Sequence, residues 1–154
     1  MIRLDERLSA IADLVLEAVA DREAPCAADV GCDHGFLTAA LLERCPQLTV
    51  IASDISAPSL QKARELLAPL GLASRAVLRV ADGLAAIDRP VGAIVLAGMG
   101  AQTILKIVAE GRARIGNAAL IVQANVDLPV LRTGLAAQGV AVEREVYTCA
   151  AGRH

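Results

Sequence analysis

The 154-residue sequence predicts an α/β fold in which a mostly parallel sheet is covered by helices on both faces. Helix-like and strand-like segments alternate along the whole chain, which is typical of βα units. The strand-like segments are continuous runs of Ala, Val, Ile and Leu, as expected of strands that are buried on both faces. Glycine or polar residues follow these runs, at the places where such sheets bind ligands.

In the first half of the chain, apolar spacing and turn residues set the predicted boundaries. Apolar residues recur at helical spacing from Leu8 to Val19, so an amphipathic first helix is expected before Pro25. Ser56 is a good helix cap, and Pro58 fits the first turn of the helix that follows. The predicted elements are a helix over 8–19, a strand over 27–30, a helix over 35–44, a strand over 48–53, a helix over 56–70 and a strand over 76–80.

The second half continues the alternation of strands and helices. Asp127 is expected to cap a helix with Pro129 in its first turn and Gly139 at its end. The alternating segment Val140–Tyr147 predicts a sixth strand, and the residues after Cys149 are typical of a hairpin turn. The predicted elements are a strand over 91–97, a helix over 102–110, a strand over 118–122, a helix over 127–139 and a strand over 140–147.

Composition excludes several classes of protein. An apolar fraction of 55% excludes a disordered chain, and no apolar run approaches the ~20 residues of a membrane span. The four cysteines form no C-x-x-C pair, which argues against a zinc site or a disulfide framework and favours a cytoplasmic protein with reduced thiols. A net charge of −2 provides no global basic field, and the scarcity of aromatic residues excludes a base-stacking platform. We expect one domain over residues 1–154, with no metal.

The stretch Cys26-Ala-Ala-Asp-Val-Gly-Cys-Asp-His-Gly-Phe36 joins the first predicted strand to a helix. Gly31 suits a sharp turn, because positive φ costs glycine little and no Cβ blocks a ligand. The helix that begins near Gly35 would then direct free N–H groups into the turn. The spacing is not G-x-G-x-x-G, because Asp33 and His34 stand between the two glycines. This stretch therefore predicts a ligand cradle, with a plain tight turn as the alternative.

Polar or glycine residues follow the later strands as well. Asp54 could accept hydrogen bonds from both hydroxyls of a ribose, or it could be a helix cap or a solvated acid. Asp82-Gly83 could accept from an adenine amino group, or it could be a simple turn. Gln123 and Asn125 could read a base edge, since amides offer donor and acceptor together, or they could be ordinary exposed amides. Residues 97–100 would supply access and backbone polar groups, or only a tight turn.

The charge inside the first turn favours one class of ligand. Asp33 disfavours a pyrophosphate, because like charges would meet. A ligand with an ammonium or a sulfonium group fits better, and S-adenosylmethionine carries both, together with a carboxylate for the helix N-terminus. The turn therefore favours a methyl donor over NAD. His34 could bind the donor or the substrate, move a proton, or be a structural histidine.

Five motifs together resemble the TrmK family, the bacterial tRNA (adenine-22, N1) methyltransferases. They are Asp29-Val-Gly-Cys-Asp-His-Gly-Phe-Leu37, Ala52-Ser-Asp-Ile55, Asp82-Gly-Leu84, Ala97-Gly-Met-Gly100 and Gln123-Ala-Asn125. The opening Asp5-Glu-Arg-Leu8 and the later Leu131-Arg132 also resemble this family, so the match covers nearly the whole chain. The resemblance implies a Rossmann-like class I methyltransferase with a three-layer α/β/α architecture and a mostly parallel sheet that ends before the seventh strand.

The resemblance also implies S-adenosylmethionine as cofactor, tRNA as substrate, and a role for each motif. The implied cofactor contacts are Gly31, Asp33 and His34 around the methionine moiety, Asp54 at the ribose, Asp82 and Gly83 at the adenine, and Asp29, Ile55, Ala97, Gly98, Met99 and Gly100 beside them. Residues 98–100 and the amide motif would face the reacting centre. The candidate catalytic residues are Asp33, Gln123 and Asn125. The oligomeric state is left open.

As a mechanism, N1 of an adenine would attack the sulfonium methyl in line, and the protein would mainly supply alignment and a dry site. Asp33 or an amide oxygen would stabilise the cationic product. A paired or stacked adenine must first be freed or flipped, after which Asn125 or Gln123 would read its Watson–Crick edge. The candidate contacts to tRNA phosphates, each otherwise an ordinary solvated side chain, are Arg3, Arg7, Arg112, Arg114 and Arg132.

The chain departs from the family pattern in three ways. Ala101 stands where the family has a glycine, and Ala124 stands where a proline would give the amide loop a rigid φ. The family's C-terminal helical domain is missing, so a truncated catalytic core or a shortened member is expected. Two other functions stay open: a module that binds S-adenosylmethionine without catalysis, and a nicotinamide-dependent oxidoreductase of the same fold.

Overall fold

The structure is a computed structural model that describes residues 1–149. The strands are β1 Cys26–Val30, β2 Thr49–Asp54, β3 Ala76–Val80, β4 Ala93–Met99 and β5 Ala119–Ala124. The α-helices are α1 Glu6–Val19, α2 Phe36–Arg44, α3 Ala57–Leu67, α4 Ala101–Glu110, α5 Arg112–Ile115 and α6 Leu128–Ala137. A 3-10 turn covers Ala73–Arg75. The predicted α/β fold is confirmed, and most predicted boundaries agree within a few residues.

The sheet has the order β3-β2-β1-β4-β5, and every pair of neighbouring strands is parallel. The chain runs outward from β1 to β3 and then crosses back to β4 on the other side of β1. The loops after β1 and β4 therefore leave in opposite directions, and a crevice opens between them. Ligands bind at such a switch point in open α/β sheets, so this topology locates the candidate site.

The core consists of two apolar layers, one on each face of the sheet. One layer packs α1, α2 and α3 against alternate strand residues, and the other packs α4 and α6 against the opposite set. All five residues of β1 are buried, which explains its small Cys-Ala-Ala sequence between two helical layers. Leu41 and Leu42 of α2 are 0% and 1% exposed, and each contributes about 1.5–3 kcal/mol by burial. The first layer holds the cradle loop in place.

The predicted sixth strand over 140–147 is wrong for the described structure. Residues 140–149 form no helix or strand. Side-chain pairs attach this segment to the helices: Arg132 of α6 binds Glu145, and Arg144 binds Glu17 of α1. Alternating sequence favours a strand only where a partner strand is available, and β5 is the last strand of the described sheet. The predicted hairpin turn after Cys149 lies outside the described residues.

Smaller differences concern the second half of the chain. β4 continues through Gly98 and Met99, which were predicted to be a loop, and a bulge between Ala97 and Met99 interrupts its register with β5. A short helix, α5, follows α4 and was not predicted. Asp127 stands at the start of α6 but its side chain makes no cap hydrogen bond, because the residue adopts a left-handed φ of 60°.

Candidate functional site

The cradle loop is held in an unusual backbone path. Gly31, Asp33 and Gly35 have φ values of 72°, 50° and 84°, so three of five consecutive residues lie in the left-handed region. The N–H groups of Gly31 and Cys32 both donate to the carbonyl of Ser53 in β2, at 2.8 and 2.9 Å. A Cβ on Gly35 would lie 2.9 Å from the Cβ of Ala63 in α3. Only glycine allows this close approach, which explains why the sequence places one there.

Asp54 braces the same loop from the end of β2. Its Oδ2 accepts from the Asp33 N–H at 2.9 Å, and its Oδ1 accepts from the Ser56 N–H at 2.9 Å. A carboxylate offers about four lone-pair positions, so each oxygen retains one for a ligand. Ser56 in turn caps α3 by accepting from Ser59 N–H, as predicted. Asp54 is therefore both a structural brace and a half-buried acceptor at the crevice.

Asp29 lies beneath the loop and not on its surface. It is 4% exposed, and its Oδ2 accepts from the Thr38 hydroxyl of α2 at 2.7 Å. The pKa of Asp29 is raised to about 6, chiefly by burial; the Thr38 hydrogen bond opposes this shift, and the nearby charge of Asp54 adds to it. Thr38 was not identified from the sequence, because a threonine inside an apolar helix is usually ordinary packing.

Cys32 and His34 complete the loop. Burial, followed by the charges of Asp29 and Asp54, raises the pKa of Cys32 well above its usual range, so its thiol is inert as a nucleophile. Asp33 and His34 project outward, with 75% and 41% of their side chains exposed, and their Oδ1 and Nε2 atoms are 3.5 Å apart. The exposed carboxylate makes the mouth of the cradle negative, as the electrostatic argument from the sequence requires.

The loop after β4 approaches the cradle through Met99. A Cβ on Gly31 would lie 2.7 Å from Cε of Met99, so this side chain reaches across to the loop after β1. The Met99 carbonyl accepts from the Asn125 N–H at 2.9 Å, which ties β4 to the loop after β5. Gly98 has a φ of 73°, and Gly100 begins α4 without a side-chain cap. Met99 thus bridges two of the predicted site segments.

The amide motif is organised by a residue from the first helix. Gln123 Oε1 accepts from Arg7 Nη1 of α1 and from the Gly98 N–H, each at 2.9 Å. Gln123 Nε2 donates to the Ala124 carbonyl at 3.1 Å and to Asn125 Oδ1 at 3.4 Å. Arg7 lies 116 positions from Gln123 in the sequence. The sequence suggested Arg7 as a possible phosphate contact and gave no signal for its hydrogen bond to Gln123.

The other predicted phosphate contacts are mostly engaged within the chain. Arg112 donates to the Gln138 carbonyl, Arg114 donates to the Ile87 carbonyl at 2.6 Å, and Arg132 binds Glu145 at 2.7 Å. Arg3 is exposed near the N-terminus.

Asp82, Gly83 and Ile55 lie on the β3 side of the same edge. The Asp82 carbonyl accepts from the Ala85 N–H at 3.2 Å, so the dipeptide forms a turn, and Gly83 has a φ of 56°. The Ala81 N–H donates to the Asp54 carbonyl at 3.1 Å, which connects this turn to the loop after β2. Ile55 is 74% exposed. The structure thus places every predicted site residue at or beneath the carboxyl edge of the sheet.

The candidate site is the crevice at the switch point of the sheet, and two cavities lie elsewhere in the molecule. A cavity of about 600 Å³ opens near the amino ends of β4 and β5, beside Arg22, Pro90 and Arg114. Another, of about 400 Å³, is bordered by Leu105 of α4 and Val130 of α6. Neither includes a residue of the predicted site. The crevice is bordered by the left-handed residues Gly31, Asp33, Gly35 and Gly98 and by the hydrogen bonds of Asp54 and Gln123.

Among residues 1–149, no three His, Cys, Asp or Glu side chains are grouped closely enough to hold a metal ion. Over the same residues, no helix has both the length and the apolar composition needed to cross a membrane.

The sheet order, the acidic glycine loop at the switch point and the brace from the end of β2 define a Rossmann-like fold of the methyltransferase type. A methyltransferase-domain family matches residues 4–154. The chain belongs to this family of methyltransferase domains.

Solved structures and a curated relative narrow the comparison. The chain is similar to the M1A22 tRNA methyltransferase TrmK of B. subtilis, with 27% identity, a TM-score of 0.86, and coverage of 99% of this chain and 64% of TrmK. It is similar to Sp1610 of Streptococcus pneumoniae in complex with S-adenosyl-L-methionine, with 31% identity, a TM-score of 0.86, and coverage of 98% and 69%. Over 64 residues it is 41% identical to a Mycoplasma pneumoniae protein provisionally named a tRNA methyltransferase, covering 42% of this chain and 28% of that protein. The chain spans about two thirds of the solved structures and under a third of the curated relative.

Proposed function

We propose that this domain, over residues 1–154, uses S-adenosylmethionine to methylate N1 of an adenine, at position 22, in tRNA. Three findings support the proposal: membership of the methyltransferase-domain family, the fold shared with TrmK, and the S-adenosyl-L-methionine complex of the similar Sp1610. The proposal includes a cytoplasmic location. The alternative of a nicotinamide-dependent oxidoreductase is less favoured, because the similar TrmK and Sp1610 are a tRNA methyltransferase and an S-adenosyl-L-methionine complex.

The observation that carries the proposal is the acidic cradle at the switch point. Asp54 Oδ2 accepts a hydrogen bond from the Asp33 N–H at 2.9 Å, and the Asp33 carboxylate projects into solvent at the mouth of the loop. A sulfonium and an ammonium group are attracted to this negative mouth, whereas a diphosphate is repelled. α2 begins without a side-chain cap, so its first N–H groups remain for the donor's carboxylate.

Each part of the donor would contact one segment of the edge. We assign Gly31, Asp33 and His34 to the methionine moiety and place Asp29 beneath them as a buried acid. The ribose hydroxyls would donate to the unused lone pairs of Asp54, with Ile55 packed beside the ring. The adenine contacts would be Asp82 and Gly83, and the reacting centre would be lined by Ala97, Gly98, Met99, Gly100, Gln123 and Asn125.

The chemistry needs alignment more than acid–base catalysis. The lone pair of adenine N1 attacks the methyl carbon, the carbon–sulfur bond breaks, and its electron pair returns to sulfur as a neutral thioether. The positive charge moves to the methylated ring, where Asp33 or an amide oxygen would stabilise it. Holding the two reactants in line accounts for most of the rate enhancement expected of such a site.

The tRNA must present one adenine to this crevice. An adenine that is paired or stacked has to be freed or flipped, at a cost of about a few kcal/mol. Arg3 is the candidate that we assign to a tRNA phosphate, because it is exposed just before α1. The proposal includes tRNA binding by these 154 residues, which cover 64% of the similar TrmK.

Methyl transfer from labelled S-adenosylmethionine to an unmodified tRNA transcript tests the proposal. The expected result is one methyl group per tRNA, mapped to N1 of adenine 22, and none on a transcript with guanine at that position. Donor binding without transfer under single-turnover conditions would support the non-catalytic module instead. Methylation at another nucleotide would contradict the assigned position.

The role of Asp54 is tested by Asp54→Asn. An amide cannot accept at both ends, so one of the two N–H donors, of Asp33 or of Ser56, would face another donor. We expect affinity for S-adenosylmethionine to fall about 10- to 100-fold, as for a lost charge-assisted hydrogen bond. The matched control is Asp21→Asn, an exposed acid after α1. Equal affinities of Asp54→Asn and the control by calorimetry would reject the ribose assignment.

A further inference from the structure

The amide of Gln123 has all of its hydrogen-bonding capacity occupied by the protein. Its oxygen accepts from Arg7 and from the Gly98 N–H, and both of these groups can only donate, which fixes the oxygen end of the amide. Its nitrogen donates to the Ala124 carbonyl and to Asn125 Oδ1. Gln123 therefore has no capacity left for a substrate base in this arrangement, although the sequence suggested that it reads one.

Asn125 is the amide that remains available. It is exposed, and its Oδ1 accepts once, from Gln123, so one oxygen lone pair is left. Its Nδ2 has no hydrogen-bond partner within residues 1–149. Its backbone is fixed by the bond from its N–H to the Met99 carbonyl at 2.9 Å. Asn125 thus presents one acceptor and one donor group at the crevice, in an orientation set by Gln123.

We propose that Arg7 is a positioning residue that acts through Gln123 to hold the Asn125 amide in the orientation that reads the N6 and N7 atoms of the target adenine. The inference rests on the proposed function and refines its substrate contact. An asparagine pairs with adenine by accepting from N6 and donating to N7. This mode leaves N1 uncovered, as a nucleophile must be, whereas a contact on the Watson–Crick edge would cover it.

The hydrogen bonds from Arg7 to Gln123 and from Gln123 to Asn125, here called the relay, would also disfavour guanine as the target base. Guanine presents acceptors at both O6 and N7, so Asn125 Oδ1 would face O6 in the held orientation and would face N7 if the amide rotated by half a turn. Rotation would bring Asn125 Nδ2 against Gln123 Nε2, and two donors would face each other. Gln123 itself cannot rotate, because its oxygen is held by Arg7 at 2.9 Å and by the Gly98 N–H at 2.9 Å. A cation on α1 thereby sets the base preference.

The first test uses tRNA with 7-deazaadenine at position 22, which lacks the N7 acceptor but keeps N1. The wild-type chain should methylate it with kcat/KM lowered about fivefold or more, as for one lost hydrogen bond. Arg7→Ala and Gln123→Glu should lower kcat on the normal transcript and show little further loss on the deaza transcript. Equal rates of the wild-type chain on both transcripts would overturn the proposal.

Gln123→Glu serves as the second variant in case Arg7→Ala impairs folding. The carboxylate still accepts from Arg7 and the Gly98 N–H but can donate neither to Asn125 nor to the Ala124 carbonyl, so the contact with Arg7 is kept and the link to Asn125 is cut. Arg7→Lys should restore part of the activity, because lysine also donates to Gln123. The control is Arg22→Ala, which removes an equal charge from an exposed position just after α1.

Salt dependence separates positioning from a phosphate contact. If Arg7 binds a phosphate, Arg7→Ala raises KM for tRNA and lowers the slope of log affinity against log salt by about 1. The relay predicts instead an unchanged slope, unchanged affinity for S-adenosylmethionine and a loss confined to kcat. A change in the slope together with an unchanged kcat would overturn the relay.

An NMR measurement on the ligand-free chain is independent of activity. The side-chain amide resonances of Gln123 and Asn125, assigned with Gln123→Glu and Asn125→Asp, should shift in Arg7→Ala and stay in place in Arg22→Ala. Unshifted resonances in Arg7→Ala would overturn the relay. A wild-type chain that leaves adenine 22 unmethylated contradicts the proposed function, whereas the relay is then decided by these resonances.

Discussion

The two sides of the switch point are built differently. On the β1–β2 side, the strands are almost wholly buried, and backbone N–H groups and one carboxylate hold the cradle loop. On the β4–β5 side, β5 is only half-buried, the amide loop after it is exposed, and the segment after α6 is attached by side-chain pairs. Ser53 and Asp54 of the adjacent strand hold the cradle, whereas the amide loop also depends on Arg7, 116 positions from Gln123.

This difference suggests a division of labour. A cofactor that never changes is suited to a rigid loop specified by a local motif. Under the proposed function, a tRNA substrate would suit the more exposed side, where the Asn125 amide would contact the target base. We therefore expect changes in the cradle to affect stability and donor affinity together, and changes on the β4–β5 side to affect turnover with little loss of stability.

The largest effect is expected for Gly35→Ala. It adds strain at a φ of 84° and places a Cβ 2.9 Å from Ala63, so α2 and α3 must separate. We expect the free energy of unfolding to fall by about 2–5 kcal/mol. Donor binding should weaken as well, because the cradle loop is displaced. The matched control is Gly71→Ala, at a φ of 70° with open space around it, which should cost only about 1 kcal/mol. If denaturant unfolding gives the same loss of stability for Gly35→Ala and Gly71→Ala, the close approach of Gly35 to Ala63 does not contribute to stability.

A smaller effect is expected for Asp29→Asn. Because burial raises the pKa of Asp29 to about 6, the ionised carboxylate destabilises the folded wild-type chain, and this cost grows as pH rises from about 4 to about 6. A shift of about two pKa units corresponds to about 3 kcal/mol. Thermal unfolding should therefore show Asp29→Asn gaining stability relative to wild type across that window. Parallel stability profiles for the two chains between pH 4 and 7 would contradict the buried charge.

The smallest effect is expected for Arg132→Ala. It removes the exposed pair with Glu145, which links α6 to the segment over 140–149. Exposed ion pairs contribute little, so the unfolding temperature should stay unchanged. Hydrogen exchange should become faster over residues 140–149 and remain unchanged in β1. A clear fall in unfolding temperature would mean that this segment contributes more to the fold than its contacts indicate.

The sequence predicted the fold and the glycine turn after β1 well, for a physical reason. Parallel strands and glycine turns are encoded by residues a few positions apart, so Gly31, Ser56 and the order of elements could be recognised without a structure. The sixth strand was wrong because strand pairing depends on a distant partner. The hydrogen bond from Arg7 to Gln123 could not be predicted for the same reason, since nothing in an N-terminal arginine indicates it. Thr38 and the left-handed Asp33 also escaped notice.

The central claim is that the acidic cradle accepts a sulfonium donor. Its most direct test is titration of the chain with S-adenosylmethionine and, separately, with NADH, followed by backbone NMR. We predict binding of the methyl donor alone, with the largest shifts at residues 31–35 and at Asp54, and no response to NADH. Binding of NADH at those residues, with no shifts on adding the methyl donor, would contradict the account.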